Sequence, residues 1–289
     1  MFQIENDTLR VAIDSKGAEL KSVFNKALNL EYLWGADPAY WAKTSPVLFP
    51  IVGTLKDNTY HYEGQAYHLS RHGFARDKVF NVKEHSAGSI ALSLESTEDT
   101  LAVYPFPFVF TIVYTLAGNE LLVEYRVQNP GQEPMFFSVG GHPAFKVPLE
   151  EGTQYEDYKL VFEKEETAGR WPISKGGLIE MSPEPLLQHT RVLPLSKELF
   201  SQDALVLKHL QSQWVQLVSD KTGHGLRFSF AGFPYLGLWA ASGADFVCIE
   251  PWCGIADPVD ASGELADKEG IEQLQSGMLF SRKWYVQFY

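Results

Sequence analysis

Apolar residues recur at every second position along much of this chain, and that period confines it to strands with one buried face. Leu9, Val11 and Ile13 alternate with polar neighbours. So do Ile90, Leu92 and Leu94, then Phe108, Phe110, Ile112 and Tyr114, then Leu121, Val123, Tyr125 and Val127, and later Leu226, Phe228 and Phe230. Ala117-Gly118-Asn119-Glu120 separates two of these runs and reads as a hairpin connection. Asn129-Pro130-Gly131 ends a strand, and Asp220-Lys221-Thr222-Gly223 separates two later ones. Helical patterns are short: Asp37 to Trp41, with Pro38 at the first position, and Lys197 to Phe200 each read as one turn. Many short strands with no alternating helices predict an all-β fold, a large antiparallel β-sandwich rather than a closed up-and-down barrel.

The chain reads as one domain over residues 1–289, long enough to bury a substantial core. Its 45% hydrophobic and 21% charged residues exclude whole-chain disorder. Glu163 to Pro194, with Gly176-Gly177 and several prolines, reads as a loop-like excursion within that domain. A formal charge of −12 argues against nucleic acid and anionic membrane surfaces as partners. Cys248 and Cys253 fit neither a Cys-x-x-Cys pair nor a disulfide framework, and are expected as buried thiols. The first residues lack a basic and apolar leader and no apolar run reaches membrane-span length, so a cytoplasmic location is expected. The eight histidines include no i,i+2 pair and no His-Glu-x-x-His, and there is no Walker A loop or Gly-x-Ser-x-Gly elbow. Neither a metal nor another cofactor is therefore expected. The oligomeric state stays open between monomer and homodimer.

Three segments interrupt the strand pattern with titratable residues among glycines, prolines and aromatics: Arg71-His72-Gly73-Phe74-Ala75-Arg76, Gly140-Gly141-His142-Pro143-Ala144-Phe145 and Cys248-Ile249-Glu250-Pro251-Trp252. Strand ends on a rigid sheet are where sites are commonly built. Glu250 follows an apolar run that reads as buried on both faces, so desolvation should raise its pKa toward neutrality, as a general base requires. The residues alone leave open a buried glutamate satisfied by backbone amides or an arginine. Pro143 holds His142 extended beside two flexible glycines, in a position suited to an acid. A core histidine bonded to a carbonyl would fit the same pattern. For His72 the choice is the same, with Arg71 and Arg76 making a hydroxyl- or anion-binding loop conceivable.

Taken together and in this order, His72-Gly-Phe-Ala-Arg76, Gly141-His142-Pro143-Ala144-Phe145 and Ile249-Glu250-Pro251-Trp252 resemble the aldose 1-epimerase (galactose mutarotase-like) family, most closely its LacX-like bacterial branch. The resemblance runs from the first strands to Lys268-Glu269-Gly270-Ile271. It implies a β-supersandwich with an open sugar-binding cleft and a cofactor-independent isomerase that interconverts α and β anomers. On the matching positions, Glu250 becomes the base, His142 the acid, His72 a sugar ligand and Asp203 the carboxylate that holds sugar hydroxyls. Asp203 reads equally as a turn or cap residue. Arg76, Phe145 and Trp252 join the expected sugar-binding set, with Trp239 and Phe74 as further aromatics. The chain departs from its relatives at Thr54, where Phe49-Pro50-Ile51-Val52-Gly53 is commonly followed by arginine; Lys56, Arg71 or Arg76 is then the substitute cation, or the substrate differs. Thr54 also keeps a non-catalytic sugar-binding protein in play. A glycosidase using Glu250 with Asp203 is a third reading. The sugar, free or phosphorylated, stays open.

Overall fold

Residues 1–289 are described by a computed structural model. Its largest element is a nine-stranded antiparallel sheet. From one edge the strands are Glu184–Pro194, Tyr158–Arg170, Trp214–Ser219, Leu226–Ser229, Leu279–Phe288, Glu120–Gln128, Val109–Ala117, Ser89–Glu95 and Asn81–His85. The Gly118-Asn119 turn makes the anticipated tight hairpin, with Ala117 opposite Glu120 and Leu116 opposite Leu121. A six-stranded sheet lies against it, built around Phe246–Cys253, which pairs with Tyr235–Trp239 on one side and with both Val139–Gly141 and Ala144–Lys146 on the other. A four-stranded N-terminal sheet spans Phe2–Glu5 to Leu30–Glu31. No helix is long and apolar enough to cross a membrane.

Alternation along the strands explains the layering. Phe145 on the six-stranded sheet meets Phe228 on the nine-stranded one at 5.9 Å between ring centroids, and Phe228 stacks on Trp284 at 5.1 Å. Phe49 stacks on Phe110 in the same interior, at 4.5 Å. One cluster of 67 buried apolar residues joins the layers. Most of the chain's aromatic side chains lie in this cluster.

The stretch read as loop-like from Glu163 to Pro194 is mainly two paired strands, Tyr158–Arg170 and Glu184–Pro194, with irregular chain only between them. Register shifts between Val161 and Glu166, Glu166 and Ala168, and Ala168 and Gly169 break the period of two, and much of the arm is exposed, so alternation is absent from the sequence. Asp37 to Trp41 forms a single turn, with Tyr40 and Trp41 N–H groups donating to the Asp37 carbonyl. The only α-helix, Glu98–Val103, is closed by a reciprocal Thr97–Thr100 capping box that the sequence reading passed over.

The bulged arm has its own anchor. Glu166 is 2% exposed and accepts from the Ser212 N–H at 2.7 Å and the Ser212 hydroxyl at 2.6 Å. Glu166→Ala leaves both donors buried and unpaired, so a loss of about 1–3 kcal/mol is expected in urea unfolding. Unchanged stability would show that the arm does not depend on this carboxylate.

Candidate active site

The six-stranded sheet buries one face on the large sheet and opens the other to a cavity of about 520 Å³. On Phe246–Cys253 the period of two sends Cys248, Glu250 and Trp252 to the same face. The neighbouring strand is broken opposite that row. Gly140 pairs with Trp252 on one side of the break and Ala144 pairs with Cys248 on the other, so the shared register sets His142 across from Glu250. Pro143 closes the break, its carbonyl accepting from the Ile249 N–H. His142 Nε2 and Glu250 Oε2 stand 3.4 Å apart.

The glycines around this rung are there for space. A Cβ on Gly237 would lie 2.5 Å from the Trp252 ring, and one on Gly140 would lie 2.7 Å from it. Only hydrogen at both flanking positions lets the indole lie flat across the strands. His142 is clamped by aromatics, stacked on Trp41 at 4.9 Å and met edge-on by Trp239 at 5.6 Å.

His72 enters from a loop in an uncommon backbone conformation, φ 70°, followed by Gly73 at φ 70°. Its backbone N–H donates to the Gly53 carbonyl at 2.8 Å, and its Nδ1 accepts from the Gly53 N–H at 3.1 Å. Accepting at Nδ1 places the ring proton on Nε2, leaving that N–H as the free donor. The His72 and His142 rings are 5.9 Å apart, nearly perpendicular. Asp203, also at positive φ, faces Arg71 at 3.6 Å and accepts from the Ala204 N–H at 2.8 Å. Arg76 donates to the Arg71 carbonyl at 2.8 Å and keeps its Nε buried without a partner.

Burial governs the electrostatics. Glu250 is 1% exposed, and desolvation holds its carboxyl well above the usual range, against the opposing pull of Arg71. Desolvation, with Arg71 and Arg76 adding repulsion, pushes His142 down to about 3. His72 is also driven well below the ordinary imidazole value, first by burial. Glu250 Oε2, His142 Nδ1 and Trp252 Nε1 are buried without hydrogen-bond partners within the protein. Buried polar atoms without a partner call for an explanation, and a group entering the cavity would supply one.

Of the residues singled out in the sequence, Glu250, His142, His72, Asp203, Arg76 and Trp252 all line the cavity, as do Arg71 and Trp239. Phe145 does not: pairing opposite Val247 turns it away from the cleft row, into the core against Phe228. Phe74 likewise packs with Phe49, Tyr104 and Phe108. Lys56 is held outside the cavity lining, its ammonium reaching the Ala261 carbonyl. Thr54 sits behind the wall, against Gly177, where a Cβ would come within 2.6 Å of its hydroxyl. Trp41 was missed, because nothing in a lone turn says which distant ring it will cover. Ile173, Gly177 and Ile179 were missed individually, although their excursion stood out by its length.

The family model described as Aldose 1-epimerase matches residues 1–270. The chain belongs to the aldose 1-epimerase family. It is 36% identical to the chromosomal LacX protein of Lactococcus lactis subsp. lactis over 282 residues, 94% of each chain. A galactose mutarotase related enzyme from Lactobacillus acidophilus superposes with a TM-score of 0.95 at 37% identity, covering 100% of this chain and 97% of the other. A galactose mutarotase-like protein from Lactobacillus casei superposes at 0.94 with 30% identity, each covered completely. Human galactose mutarotase is 26% identical over 180 residues, 56% of this chain and 52% of the human one. Family membership supports a mutarotase-type function and a small sugar as partner.

Proposed function

We propose that this protein interconverts the α and β anomers of an aldohexose, free or phosphorylated, by acid–base ring opening, with Glu250 as base and His142 as acid. The observation that carries the reading is the 3.4 Å approach of two buried, inward-facing titratable groups on one rung of the sheet. In a cyclic sugar the two oxygens that exchange protons, the anomeric hydroxyl and the ring oxygen, sit on the same carbon. A base and an acid that converge suit that carbon better than groups set far apart.

The steps balance without a cofactor. The Glu250 carboxylate takes the anomeric hydroxyl proton, C1–O1 becomes a carbonyl, the C1–O5 bond breaks, and O5 receives a proton from the His142 imidazolium. The C1–C2 bond rotates. His142 then removes the O5 proton, O5 attacks the other carbonyl face, and Glu250 returns a proton to O1. Each proton transfer contributes about 10²–10⁴-fold. In this reading His72 Nε2–H and Asp203 bind hydroxyls, and Trp252 and Trp239 cover the apolar face of the sugar; all four line the cavity. Arg71 and Arg76 are the cations available to a phosphate. Polarimetry on freshly dissolved α-sugars and their 6-phosphates tests the reading. Saturable binding without faster equilibration would favour a non-catalytic sugar binder.

The reaction passes one proton back and forth within the pair, so what matters is that the pair holds one shared proton in total. Burial favours the uncharged arrangement, neutral imidazole with protonated carboxyl, and that holds as many dissociable protons as imidazolium with carboxylate. A second proton enters only as His142 titrates at about 3, and the shared one leaves only above the raised carboxyl value. The rate is therefore expected to stay level through about pH 6.5, where an ordinary imidazole titrates, and to decline on the alkaline side. A drop on the acid side centred near that value would show an ordinary histidine acid and refute the coupled pair.

A further inference from the structure

The strand row that holds Glu250 carries a third donor, fully buried and outside the cavity lining, that ring opening does not use. Cys248 lies two residues before Glu250 on the same face of the same strand, with His142 across the ladder. One ligating atom from each of His142, Cys248 and Glu250 lies within 4.8 Å of the other two, and all three residues are buried. Glu250 Oε2, the oxygen that faces His142 Nε2, has no hydrogen-bond partner, so part of this donor set is uncommitted.

We propose that His142, Cys248 and Glu250 form an inhibitory binding site for a thiophilic divalent cation, Zn2+ being the best match. Zinc bonds of about 2.0–2.3 Å to nitrogen, oxygen and sulfur require tetrahedral donors roughly 3.5 Å apart. The His142–Glu250 separation of 3.4 Å already meets this, and no pair of the three is wider than 4.8 Å, so none has to close by more than about 1.3 Å. Three protein donors leave the fourth position to water or to a sugar hydroxyl from the cleft. A thiolate with an imidazole selects zinc over Mg2+ or Ca2+, which prefer all-oxygen shells. One strand carries Cys248 and Glu250, and His142 sits in a two-residue break closed on both sides by pairing to that strand, so the site needs no folding of a long loop around the ion. A bound cation would occupy the lone pairs that the proposed acid and base need. That inhibitory consequence rests on the mutarotase reading, whereas the binding itself does not.

Co2+, which reports thiolate ligation by absorbance, is the probe. Added to the metal-free full chain, it is expected to give a sulfur-to-metal charge-transfer band and the visible bands of a tetrahedral site at one ion per chain, bleached by Zn2+. Cys248→Ser should lose the sulfur band and weaken zinc binding by more than the roughly 10–100-fold typical of lost outer-shell support. It should keep its mutarotase rate, no longer stopped by one equivalent of Zn2+. Cys248→Ala serves as the second variant should the serine hydroxyl disturb the buried row, and Cys253→Ser should keep the band. A parent protein without the sulfur band, or a band that survives loss of Cys248, overturns the proposal. Cobalt ligation by a protein that does not accelerate anomer exchange would sustain the metal site and remove the mutarotase reading.

Discussion

Glu250→Gln is expected to equilibrate sugar anomers about 10²–10⁴-fold more slowly than the parent, with the loss in kcat rather than in sugar affinity. The amide has nearly the same shape and still reaches the hydroxyl, but it cannot take up the proton. Folding should not suffer. A carboxyl held above its ordinary pKa gives stability that is fully present below the unfolded value and lost as pH rises through the folded value. At neutral pH the parent therefore carries a burial penalty that the glutamine, uncharged at every pH, avoids. Its melting temperature should match or exceed the parent's near pH 7, and that advantage should vanish in acid. Polarimetry with matched melting curves checks both parts. A variant that keeps its rate removes Glu250 as base, and one that loses rate only by unfolding leaves the assignment without support.

The second large effect falls on the backbone. Gly73→Ala is expected to cost about 3 kcal/mol, from roughly 1–2 for placing a side chain in the left-handed region and about 1–3 for overpacking. The added Cβ would lie 2.4 Å from the Phe49 carbonyl oxygen, which has no room to yield because it also accepts the N–H groups of Phe74 and Ala75. If the protein survives the change, His72 is the residue displaced, since it precedes the new side chain directly. Weaker sugar binding with a largely preserved kcat is then the expected signature, because the Glu250–His142 rung lies on a different element. Chemical denaturation gives the first quantity and a kcat and KM comparison the second. A loss under about 1 kcal/mol, the lower end of the strain term alone, would refute the clash.

The strands with one face in the core were legible because a one-sided environment writes itself into the chain as alternation, as from Leu121 to Val127. The arm from Glu163 to Pro194 was not legible, since bulges and exposure on both sides erase that period. Glu250 was visible as a carboxylate at the end of an apolar run, and His142 as a histidine between glycines and a proline. Their pairing was not visible, because it depends on a register between strands more than a hundred residues apart in the chain. Phe145 shows the opposite failure: adjacency to a site motif says nothing about which face a side chain takes. Trp41 is different again. A single aromatic in a turn is the same in sequence whether it covers a histidine of the cavity or plain core.

The break that sets His142 opposite Glu250 bears on how such a protein can diversify. Neighbouring strands run at a spacing of about 4.8 Å whatever their side chains, so the reach between the proposed proton donor and acceptor is set by the strand pairing on both sides of the break and not by a long loop. The remaining walls, supplied by Ile173, Gly177, Asp203 and Arg71, come from excursions that can lengthen, shorten or change charge without moving that rung. In the proposed reaction, chemistry and selectivity are thus separately adjustable, and preference for one sugar over another is set by the connections alone.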